Sequence, residues 1–275
     1  MRLDRALVAR GLARSRTHAQ TLIDADAVTV NGTVATRAST DVAATAQIFV
    51  IDDGYVSRAA HKLIGVLDAC EPIGLSVAGR GALDAGASTG GFTQVLLERG
   101  ARHVTAIDVG HGQLSPHVGG DARVTSIEGL NIRDLTPAHI ASDTSDVPID
   151  LVVADLSFIS LSLVTTPLAA AVPSGDFLLM VKPQFEVGRE RLGAGGVVTR
   201  TDDHALAVGN VTAALAKVGA VVHAVERSGL PGLTGNVEFF VWASLAWEAR
   251  GGGERPLLAG AELAAAIQDV TKGQL

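Results

Sequence analysis

A glycine-rich segment near position 90 has the composition of a ligand-binding turn. Residues 83–93 read Leu-Asp-Ala-Gly-Ala-Ser-Thr-Gly-Gly-Phe-Thr, so an apolar strand would end at Asp84 and a helix would begin at Phe92. Glycines let a backbone lie against a ligand, and the first turn of a helix presents free N–H groups to it. The segment therefore predicts a site at which the chain cradles a cofactor.

The spacing of the glycines excludes two common classes of cofactor loop. A P-loop requires a lysine after its last glycine, and a dinucleotide-binding loop requires Gly-x-Gly-x-x-Gly, whereas this loop reads Gly86-x-x-x-Gly90-Gly91. A second apolar stretch, residues 103–109, ends near Asp108, about 20 residues further on, where a carboxylate can accept hydrogen bonds from a ribose. The two regions support the same prediction of a cofactor site.

Four charged residues stand at positions where a folded chain could bring them together. They are Lys62, on a helix predicted over residues 55–67, and three residues at the ends of apolar stretches, Asp155, Lys182 and Glu238. Any one of them would ordinarily be a solvated residue or a charge that ends a strand. Four that converge on one crevice would instead form a reactive centre.

Apolar stretches alternate with helical patterns in the part of the chain that carries these charges. Residues 151–155 and 177–181 read as buried strands, residues 162–172 and 204–218 read as helices, and residues 235–242 form a last strand. This alternation predicts an α/β fold in which parallel strands are joined by helical crossovers. Ligands in such sheets bind beyond the carboxyl ends of the strands, so the charges should share a crevice with the glycine loop.

The composition is that of a globular protein with a core of ordinary size. The chain has 275 residues, of which 47% are hydrophobic, and no apolar run approaches the ~20 residues that span a bilayer. The start, Met-Arg-Leu-Asp-Arg, lacks the apolar part of a signal peptide, so we expect a cytoplasmic protein. A single cysteine, Cys70, excludes a disulfide framework and a multi-cysteine zinc site; we expect it in the core, and no metal.

Charge is unevenly divided along the chain. The net charge is −7, yet residues 1–60 carry seven arginines and six acids, which leaves −8 for the remainder. One acid, Asp4, accompanies a cluster of arginines at the start of the chain, which comprises Arg2, Arg5, Arg10, Arg14 and Arg16. Such a cluster is either a solvated helix face or a cationic surface that binds phosphates.

The pattern around these arginines predicts a small α+β module. A first helix would end at Gly11, and Ser15 would cap a second helix that runs through Ile23. Residues 28–30 then read as a strand that enters an Asn31-Gly32 turn, with residues 46–51 as the returning strand.

Two segments resemble known families. The string from Arg2-Leu3-Asp4 through Arg10-Gly11-Leu12, followed by Val30-Asn31-Gly32, resembles the αL RNA-binding module that was first seen in a small-subunit ribosomal protein and is shared with pseudouridine synthases. The Asp-x-Gly-x-x-x-Gly-Gly-Phe loop resembles the one that follows the first strand of Rossmann-like S-adenosylmethionine-dependent methyltransferases. The resemblance of the first segment implies structured RNA as the partner, and that of the second implies S-adenosylmethionine as the cofactor.

The four charged residues carry a more specific resemblance. In order and local context they match the Lys-Asp-Lys-Glu tetrad of the FtsJ-like ribose 2′-O-methyltransferases. The strings Ser57-Arg58-x-x-His61-Lys62-Leu63, Lys182-Pro183-Gln184-Phe185-Glu186 and Gly235-Asn236-x-Glu238 resemble the TlyA (haemolysin A) branch, which joins an αL module to such a methyltransferase. The resemblance implies methylation of cytidine 2′-hydroxyls in 23S rRNA and, in some members, in 16S rRNA. The start of the chain directly at Arg2-Leu3-Asp4 favours the large subunit alone.

The resemblance also implies a fold and a division of the chain. We expect a Rossmann-like domain over residues 59–250, with a mixed seven-stranded sheet and helices on both faces, after an αL-type α+β RNA-binding domain over residues 1–58. Residues 251–275 would form a flexible break at Gly251-Gly252-Gly253 and a C-terminal helix, residues 261–270, packed on the methyltransferase domain. The expected partners are ribosomal RNA within ribosomal subunits, without membrane or DNA, and the expected state in solution is a monomer.

The resemblance further assigns roles to residues. The implied catalytic set is Lys62, Asp155, Lys182 and Glu238, and the implied RNA-binding set is the five arginines of the N-terminal cluster. The implied cofactor-binding set is Asp84, Gly86, Ser88, Thr89, Gly90, Gly91, Phe92 and Asp108, to which we add Asn131 for the adenine edge because an amide both donates and accepts hydrogen bonds.

The role of Lys182 stays open between a neutral base that accepts the hydroxyl proton and a charged group that stabilises the developing alkoxide. We expect Asp155 to hold Lys182 and Glu238 to position Lys62. Two other functions also stay open, an RNA-binding assembly factor without catalysis and a membrane-lytic haemolysin. The acidic balance and the lack of a spanning segment disfavour the haemolysin.

Overall fold

The computed structural model describes residues 1–51, 53–141, 146–251 and 253–273. Asp52 and Gly252, the latter part of the predicted break, lie outside the described residues. The described chain forms two sheets, one of three strands near the N-terminus and one of seven strands. No helix of the described residues is both long enough and apolar enough to cross a lipid bilayer.

The N-terminal module packs two helices against the three-stranded sheet. Its elements are α1 (Leu3–Ala9), α2 (Arg16–Asp24), β1 (Val28–Val30), β2 (Thr33–Val34) and β3 (Ile48–Val50). Leu3, Leu7 and Ile23 are buried together with Val28 in one apolar cluster, so the apolar faces of the helices cover the sheet. The predicted cap of α2 is confirmed, since Ser15 Oγ accepts a hydrogen bond of 3.1 Å from the His18 N–H.

The predicted hairpin is wrong in one respect. The Asn31-Gly32 turn leads directly into β2, which pairs antiparallel with β1, whereas β3 pairs with the other edge of β1. The strand predicted to return over residues 46–51 is therefore the third strand and not the partner across the turn. A strand as short as Thr33–Val34 leaves too little alternation to be recognised in the sequence.

The large sheet has strand order β6-β5-β4-β7-β8-β10-β9. Its strands are β4 (Gly81–Ala85), β5 (His103–Asp108), β6 (Val124–Glu128), β7 (Ile149–Ala154), β8 (Gly175–Val181), β9 (Val221–Arg227) and β10 (Phe239–Leu245). Five strands are parallel, while β10 is antiparallel to both of its neighbours. The predicted mixed seven-stranded sheet is thus confirmed, although the sequence analysis did not identify β9.

Helices cover both faces of this sheet, as predicted. They are α3 (Ala59–Cys70), α4 (Gly91–Glu98), α5 (Pro116–Gly119), α6 (Pro137–Ala141), α7 (Thr165–Ala171), α8 (Pro183–Glu186), α9 (Thr201–Lys217) and α10 (Gly260–Lys272). Successive residues of a strand serve opposite faces: Val152 belongs to the apolar cluster that also holds α9, and Val153 to the one that holds α3. Helix α10 packs on α9 and β9.

Helix α3 begins four residues later than predicted. Residues 55–58 precede it in a nonhelical turn, in which Ser57 Oγ accepts a hydrogen bond of 3.2 Å from the Ala59 N–H and the Val56 N–H donates to Gln94 Oε1 at 3.0 Å. Ser57 thus satisfies the N–H of the first helical residue, and Arg58 is the N-cap of α3, one turn before Lys62.

A buried carboxylate stabilises the edge of the sheet at which β8 begins. Asp176 is fully buried and lies 2.7 Å from Arg80 Nη1, 2.8 Å from Arg255 Nη1 and 3.4 Å from Arg250 Nη2. Burial alone would raise the pKa of Asp176, but these guanidinium groups and the Ser244 hydroxyl lower it to about 2. Through Arg250 and Arg255 the cluster fixes the segment between β10 and α10.

Candidate active site

A cavity of about 500 Å³ lies at the carboxyl edge of the large sheet. Strand β4 has β5 on one side and β7 on the other, and in α/β sheets such a switch in strand order opens a crevice for ligands. The glycine loop after β4 and Asp155 after β7 both line the cavity. Asp24 and Asp26 of the N-terminal module complete its wall.

The cavity brings together all four members of the predicted catalytic set. Lys62, Asp155, Lys182 and Glu238 line it, although they are separated by up to 176 positions in the sequence. Asp155 and Lys182 follow the carboxyl ends of parallel strands. Glu238 precedes β10, and because β10 runs antiparallel its first residues lie at this same edge.

Lys62 and Glu238 form a buried ion pair. Lys62 Nζ donates a hydrogen bond of 2.6 Å to Glu238 Oε2, and the two side chains are only 8% and 3% exposed. Helix α3 is positioned by apolar packing of Leu63, Val66 and Leu67 on the sheet, so Lys62 is directed inward by the same helix face. This pairing matches the geometry predicted for Glu238.

Lys182 and Asp155 form the second pair. Lys182 Nζ lies 2.6 Å from Asp155 Oδ1, outside the angular range of a hydrogen bond, and donates a hydrogen bond of 2.8 Å to Ser157 Oγ. Both side chains are largely shielded, at 11% and 16% exposure. Two contacts therefore fix the ammonium at the end of β8, and Ser157 is one that the sequence analysis did not single out.

The glycine loop requires glycine at two positions. Gly86 has φ +86°, and a Cβ there would lie 2.7 Å from the Asp155 carbonyl oxygen. A Cβ on Gly91 would collide with Ser57 Oγ, so glycine permits the start of α4 to approach the start of α3. Ser88 also adopts a positive φ, +47°, which is strained for a side chain and is typical of ligand-binding turns.

The remaining predicted cofactor residues occupy several environments. Thr89 and Phe92 line the cavity with Gly86, Ser88 and Gly91. Gly90 caps α4 behind the wall with φ +97°. Asp84 is fully buried beneath the loop, where its Oδ2 accepts a hydrogen bond of 2.6 Å from Thr93 Oγ1.

Burial raises the pKa of the Asp84 carboxyl to about 7, although the hydrogen bonds from Thr93 act in the opposite direction. Its Oδ1 has no hydrogen-bond partner among the described residues. Asp84 thus supports the loop from below, and its carboxyl group does not reach the cavity wall.

Asp108 and Asn131 lie beyond the cavity wall. Asp108 Oδ2 accepts a hydrogen bond of 2.9 Å from the Ser88 N–H, and its Oδ1 accepts one of 2.7 Å from the Gly110 N–H. The carboxylate therefore ties the glycine loop to the loop after β5. Asn131 caps the short turn that follows β6 by accepting a hydrogen bond of 3.0 Å from the Arg133 N–H.

The five N-terminal arginines are all exposed, but three of them also stabilise the module. Arg2 and Arg16 bind the nearly buried Asp4 at 3.1 Å and 2.7 Å, and their hydrogen bonds lower the pKa of its carboxyl. Arg10 donates to three backbone carbonyls of residues 43–46. Arg5 and Arg14 are the members of the cluster with the fewest contacts to the module.

Three further cavity residues carried no assignment from the sequence. Arg58 is buried beside the Lys62–Glu238 pair, and Asp26 of the N-terminal module faces it. Phe158 is 91% exposed and has φ +63°, which holds an aromatic ring at the mouth of the cavity against Phe185. The sequence signals were weak, since Arg58 belongs to a recognised string without an assigned role and Phe158 follows Asp155 by three residues.

Comparison with known proteins agrees with this arrangement. Residues 55–245 match the FtsJ-like methyltransferase family, and residues 1–48 match the S4 domain. The chain belongs to the FtsJ-like methyltransferases. Residues 55–245 span the large sheet with its cavity, and the S4 domain corresponds to the N-terminal module, so the α/β methyltransferase fold predicted from the glycine loop is confirmed.

Relatives within this family narrow the assignment to the TlyA branch. The chain is 48% identical to the 16S/23S rRNA (cytidine-2′-O)-methyltransferase TlyA of Mycobacterium tuberculosis, over 88% of either chain. It is 33% identical to the 23S rRNA (cytidine-2′-O)-methyltransferase TlyA of Campylobacter jejuni, over 70% of this chain and 72% of the relative. The solved structure of a Streptococcus thermophilus protein that bears the name hemolysin matches with a TM-score of 0.71 and 32% identity, over 98% of this chain and 94% of the other.

Proposed function

We propose that this methyltransferase transfers a methyl group from S-adenosylmethionine to the 2′-hydroxyl of a cytidine ribose in ribosomal RNA. We place the target in 23S rRNA and, because the relative that is 48% identical is named for both RNAs, also in 16S rRNA, in place of the large subunit alone that the start of the chain favoured. The observation that carries the proposal is the convergence of two ion pairs, Lys62–Glu238 and Lys182–Asp155, on one cavity beside the glycine loop. The relatives that bear this activity in their names cover most of the chain.

The residues around the glycine loop fit S-adenosylmethionine. Gly86 and Gly91 let the turn pack closely against Asp155 and Ser57, and both glycines line the cavity that a ligand would occupy. Asp108 already orients the Ser88 amide, and each of its oxygens retains a lone pair for a ribose hydroxyl. The bound cofactor supplies an electrophilic methyl group on a sulfonium. Gly86, Ser88, Thr89, Gly91 and Phe92 would hold its methionine part, and Asp108 its ribose.

The two ion pairs act on the hydroxyl that receives the methyl group. A hydroxyl is a weak nucleophile until its proton is removed or held. Lys182 Nζ is the group that would do this, and Asp155 and Ser157 fix it at the end of β8. As a neutral amine it would accept the proton, and as an ammonium it would stabilise the alkoxide. Glu238 positions Lys62 on the other side of the cavity.

These two roles for Lys182 differ in their dependence on pH. A neutral base requires the rate of single-turnover methylation to rise with pH through the neutral to alkaline range. A rate that is independent of pH over that range would assign Lys182 as the charged stabiliser, with positioning supplying most of the rate enhancement.

The N-terminal module supplies the surface for RNA in this proposal. Its exposed arginines, of which Arg5 and Arg14 are the least engaged, would contact phosphates and recognise RNA through shape rather than base edges. The module adjoins the cavity through Asp24 and Asp26. The exposed ring of Phe158 offers a stacking surface for the base of the target nucleotide.

Transfer of a radiolabelled methyl group tests the proposal. Ribosomal subunits from cells that lack this protein would be incubated with labelled S-adenosylmethionine and either the wild type or the Lys182→Ala variant. We expect label in the rRNA with the wild type, and a large loss of label with the variant. The labelled positions would then be mapped to ribose 2′-oxygens of cytidines in 23S and 16S rRNA.

The alternative functions predict other results. An assembly factor without catalysis would bind the subunits and leave no label, and a haemolysin would lyse erythrocytes without methylating RNA. Label that the Lys182→Ala substitution does not reduce would contradict the catalytic assignment while it leaves the substrate assignment intact.

A further inference from the structure

Arg58 is a buried cation whose hydrogen-bonding capacity is largely unused. Its side chain lines the cavity, and the residue is only 7% exposed. Nη2 donates a hydrogen bond of 2.9 Å to the Pro231 carbonyl, but Nε and Nη1 have no hydrogen-bond partner among the described residues. Buried guanidinium groups are ordinarily paired, because removing a charge from water without compensation is costly. Both nitrogens are shielded from solvent, so the guanidinium must turn toward the cavity before these donors can be used, and the unused donors point to a ligand that it would turn to meet.

The surroundings of Arg58 favour an anionic ligand. It stands at the N-cap of the 12-residue helix α3, whose dipole places partial positive charge there. Lys62 follows one turn later on the same helix and is already paired with Glu238. Burial lowers the pKa of Arg58, and the charges of Asp26 and Glu238 oppose this effect. An arginine remains charged under these conditions, so an oxyanion would complete its coordination.

The position of Arg58 indicates which oxyanion it meets. Its backbone N–H donates to the Ala25 carbonyl of the N-terminal module, and its side chain reaches the Pro231 carbonyl in the loop that precedes Glu238. Gly91 of the glycine loop instead faces Ser57, Ala59 and Ala60, and Arg58 is not among its nearest neighbours. Arg58 thus lies on the flank of the cavity formed by Glu238 and the N-terminal module, away from the cofactor loop.

We infer that Arg58 binds a backbone phosphate of the target nucleotide and so positions its ribose against the ion pairs. The inference rests on the proposed function. In RNA the 3′-phosphate is attached to the carbon next to the one that bears the 2′-hydroxyl, so a cation that holds this phosphate fixes the reacting oxygen within a few bonds. The planar guanidinium suits a phosphate because two parallel N–H groups bind two of its oxygens.

Substitution of Arg58 tests this inference through the salt dependence of RNA binding. We would compare the wild type with R58Q, which lacks the charge, and with R58K, which keeps the charge but not the paired donors. R102Q is the matched control, because Arg102 is an exposed arginine at the opposite edge of the sheet. The measurements are binding to ribosomal subunits over a range of KCl concentrations, single-turnover methylation, and affinity for S-adenosylmethionine.

For R58Q we expect a loss of about 10- to 100-fold in methylation and a salt slope lower by about 0.7, the value for one contact to a single-stranded phosphate. R58K should keep the salt slope and recover part of the rate, and R102Q should match the wild type. Cofactor affinity should stay unchanged in all of them. Retained affinity also shows that the variant is folded.

Two results would overturn the inference. One is an R58Q variant with the salt slope and methylation rate of the wild type. The other is weaker S-adenosylmethionine binding with an unchanged salt slope, which would assign the guanidinium to the cofactor carboxylate. Failure of the wild type to methylate any subunit would instead refute the proposed function, and the salt slopes would still report whether Arg58 contacts a phosphate. If R58Q does not fold, the methylation rate of R58K decides the question: the inference requires a rate below that of R102Q because lysine lacks the paired donors, and equal rates would overturn it.

Discussion

Replacing Glu238 with glutamine leaves the Lys62 ammonium buried without its partner. The two side chains are 3% and 8% exposed and are joined by a hydrogen bond of 2.6 Å. Glutamine has nearly the same shape as glutamate, so the substitution removes the charge and creates no cavity. The change in stability therefore reports on the ion pair itself.

The expected magnitude follows from the geometry. At 2.6 Å and an effective dielectric constant near 20, the attraction between the two charges is about 6 kcal/mol. Desolvation offsets much of this attraction in the folded protein, but the remaining partner keeps its own desolvation penalty when the other charge is removed. Breaking a buried pair in this way destabilises a protein by about 3 to 5 kcal/mol, and we expect Glu238→Gln to fall in that range.

Urea unfolding followed by tryptophan fluorescence measures this effect in the relevant part of the chain. Both tryptophans of the protein, Trp242 and Trp247, lie in or beside β10 of the large sheet, so the signal does not report on the N-terminal module. The matched control is K62M/E238M, in which apolar side chains replace both charges. Exchange of a buried pair for apolar residues is often neutral or stabilising, so this variant should regain stability but not methyl transfer.

Two outcomes would contradict this reasoning. If Glu238→Gln unfolds within 1 kcal/mol of the wild type, on the order of a surface ion pair, then Lys62 is not held as a buried charge that depends on Glu238. If K62M/E238M regains both stability and methyl transfer, the pair is not part of the catalytic site.

Three further predictions concern other carboxylates. Asp108→Ala should weaken S-adenosylmethionine binding about tenfold or more, since it removes charged hydrogen bonds that order the loop. RNA binding should persist. A wild-type affinity for the cofactor, measured by calorimetry, would refute the role of Asp108. Burial raises the pKa of Asp84 to about 7 from 3.8, so the folded state retains a proton that the unfolded chain loses, and stability falls as pH rises between these values. The neutral variant Asp84→Asn should therefore be more stable than the wild type by about 2 to 4 kcal/mol at pH 8, with a difference that vanishes near pH 4; equal differences at both pH values would argue against a protonated carboxyl. Asp176→Ala leaves three guanidinium groups without their buried partner and should lower the free energy of unfolding by about 3 to 5 kcal/mol, as measured by circular dichroism. The folded enzyme at low temperature should keep its methylation rate. A wild-type free energy of unfolding, or a lost rate in the folded variant, would contradict this prediction.

Local patterns in the sequence predicted most of the fold. The apolar stretches that became β4, β5, β7 and β8 are continuous runs typical of strands buried on both faces. The Ser15 cap, the glycine loop and helices α9 and α10 also follow from short-range signals. The sequence analysis missed β2 because of its length, and it placed the start of α3 too early because the turn at Ser57 has no distinctive local pattern.

The candidate site likewise combines residues that the sequence predicted with an arrangement that depends on the fold. Residue types and the resemblance to a family picked out Lys62 on a helix and three charges at strand ends, Asp155, Lys182 and Glu238. The sequence analysis expected the pairs Glu238–Lys62 and Asp155–Lys182, and strand order and direction are what bring these partners together. Glu238 reaches the cavity only because β10 runs antiparallel beside β8, which brings the start of that strand to the edge where the others end.

By itself, the sequence predicted the α/β class, the glycine loop and the four charged residues of the proposed site, since each can be recognised from neighbours within a few positions and from the family that those patterns resemble. Only the tertiary structure decided what surrounds those side chains. The burial of Arg58 with unused donors, the withdrawal of Asp84 beneath the loop and the approach of Asp26 from the N-terminal module all arise from packing between distant segments. Solvent exclusion and electrostatic environment are properties of that packing, and no local pattern of residues encodes them.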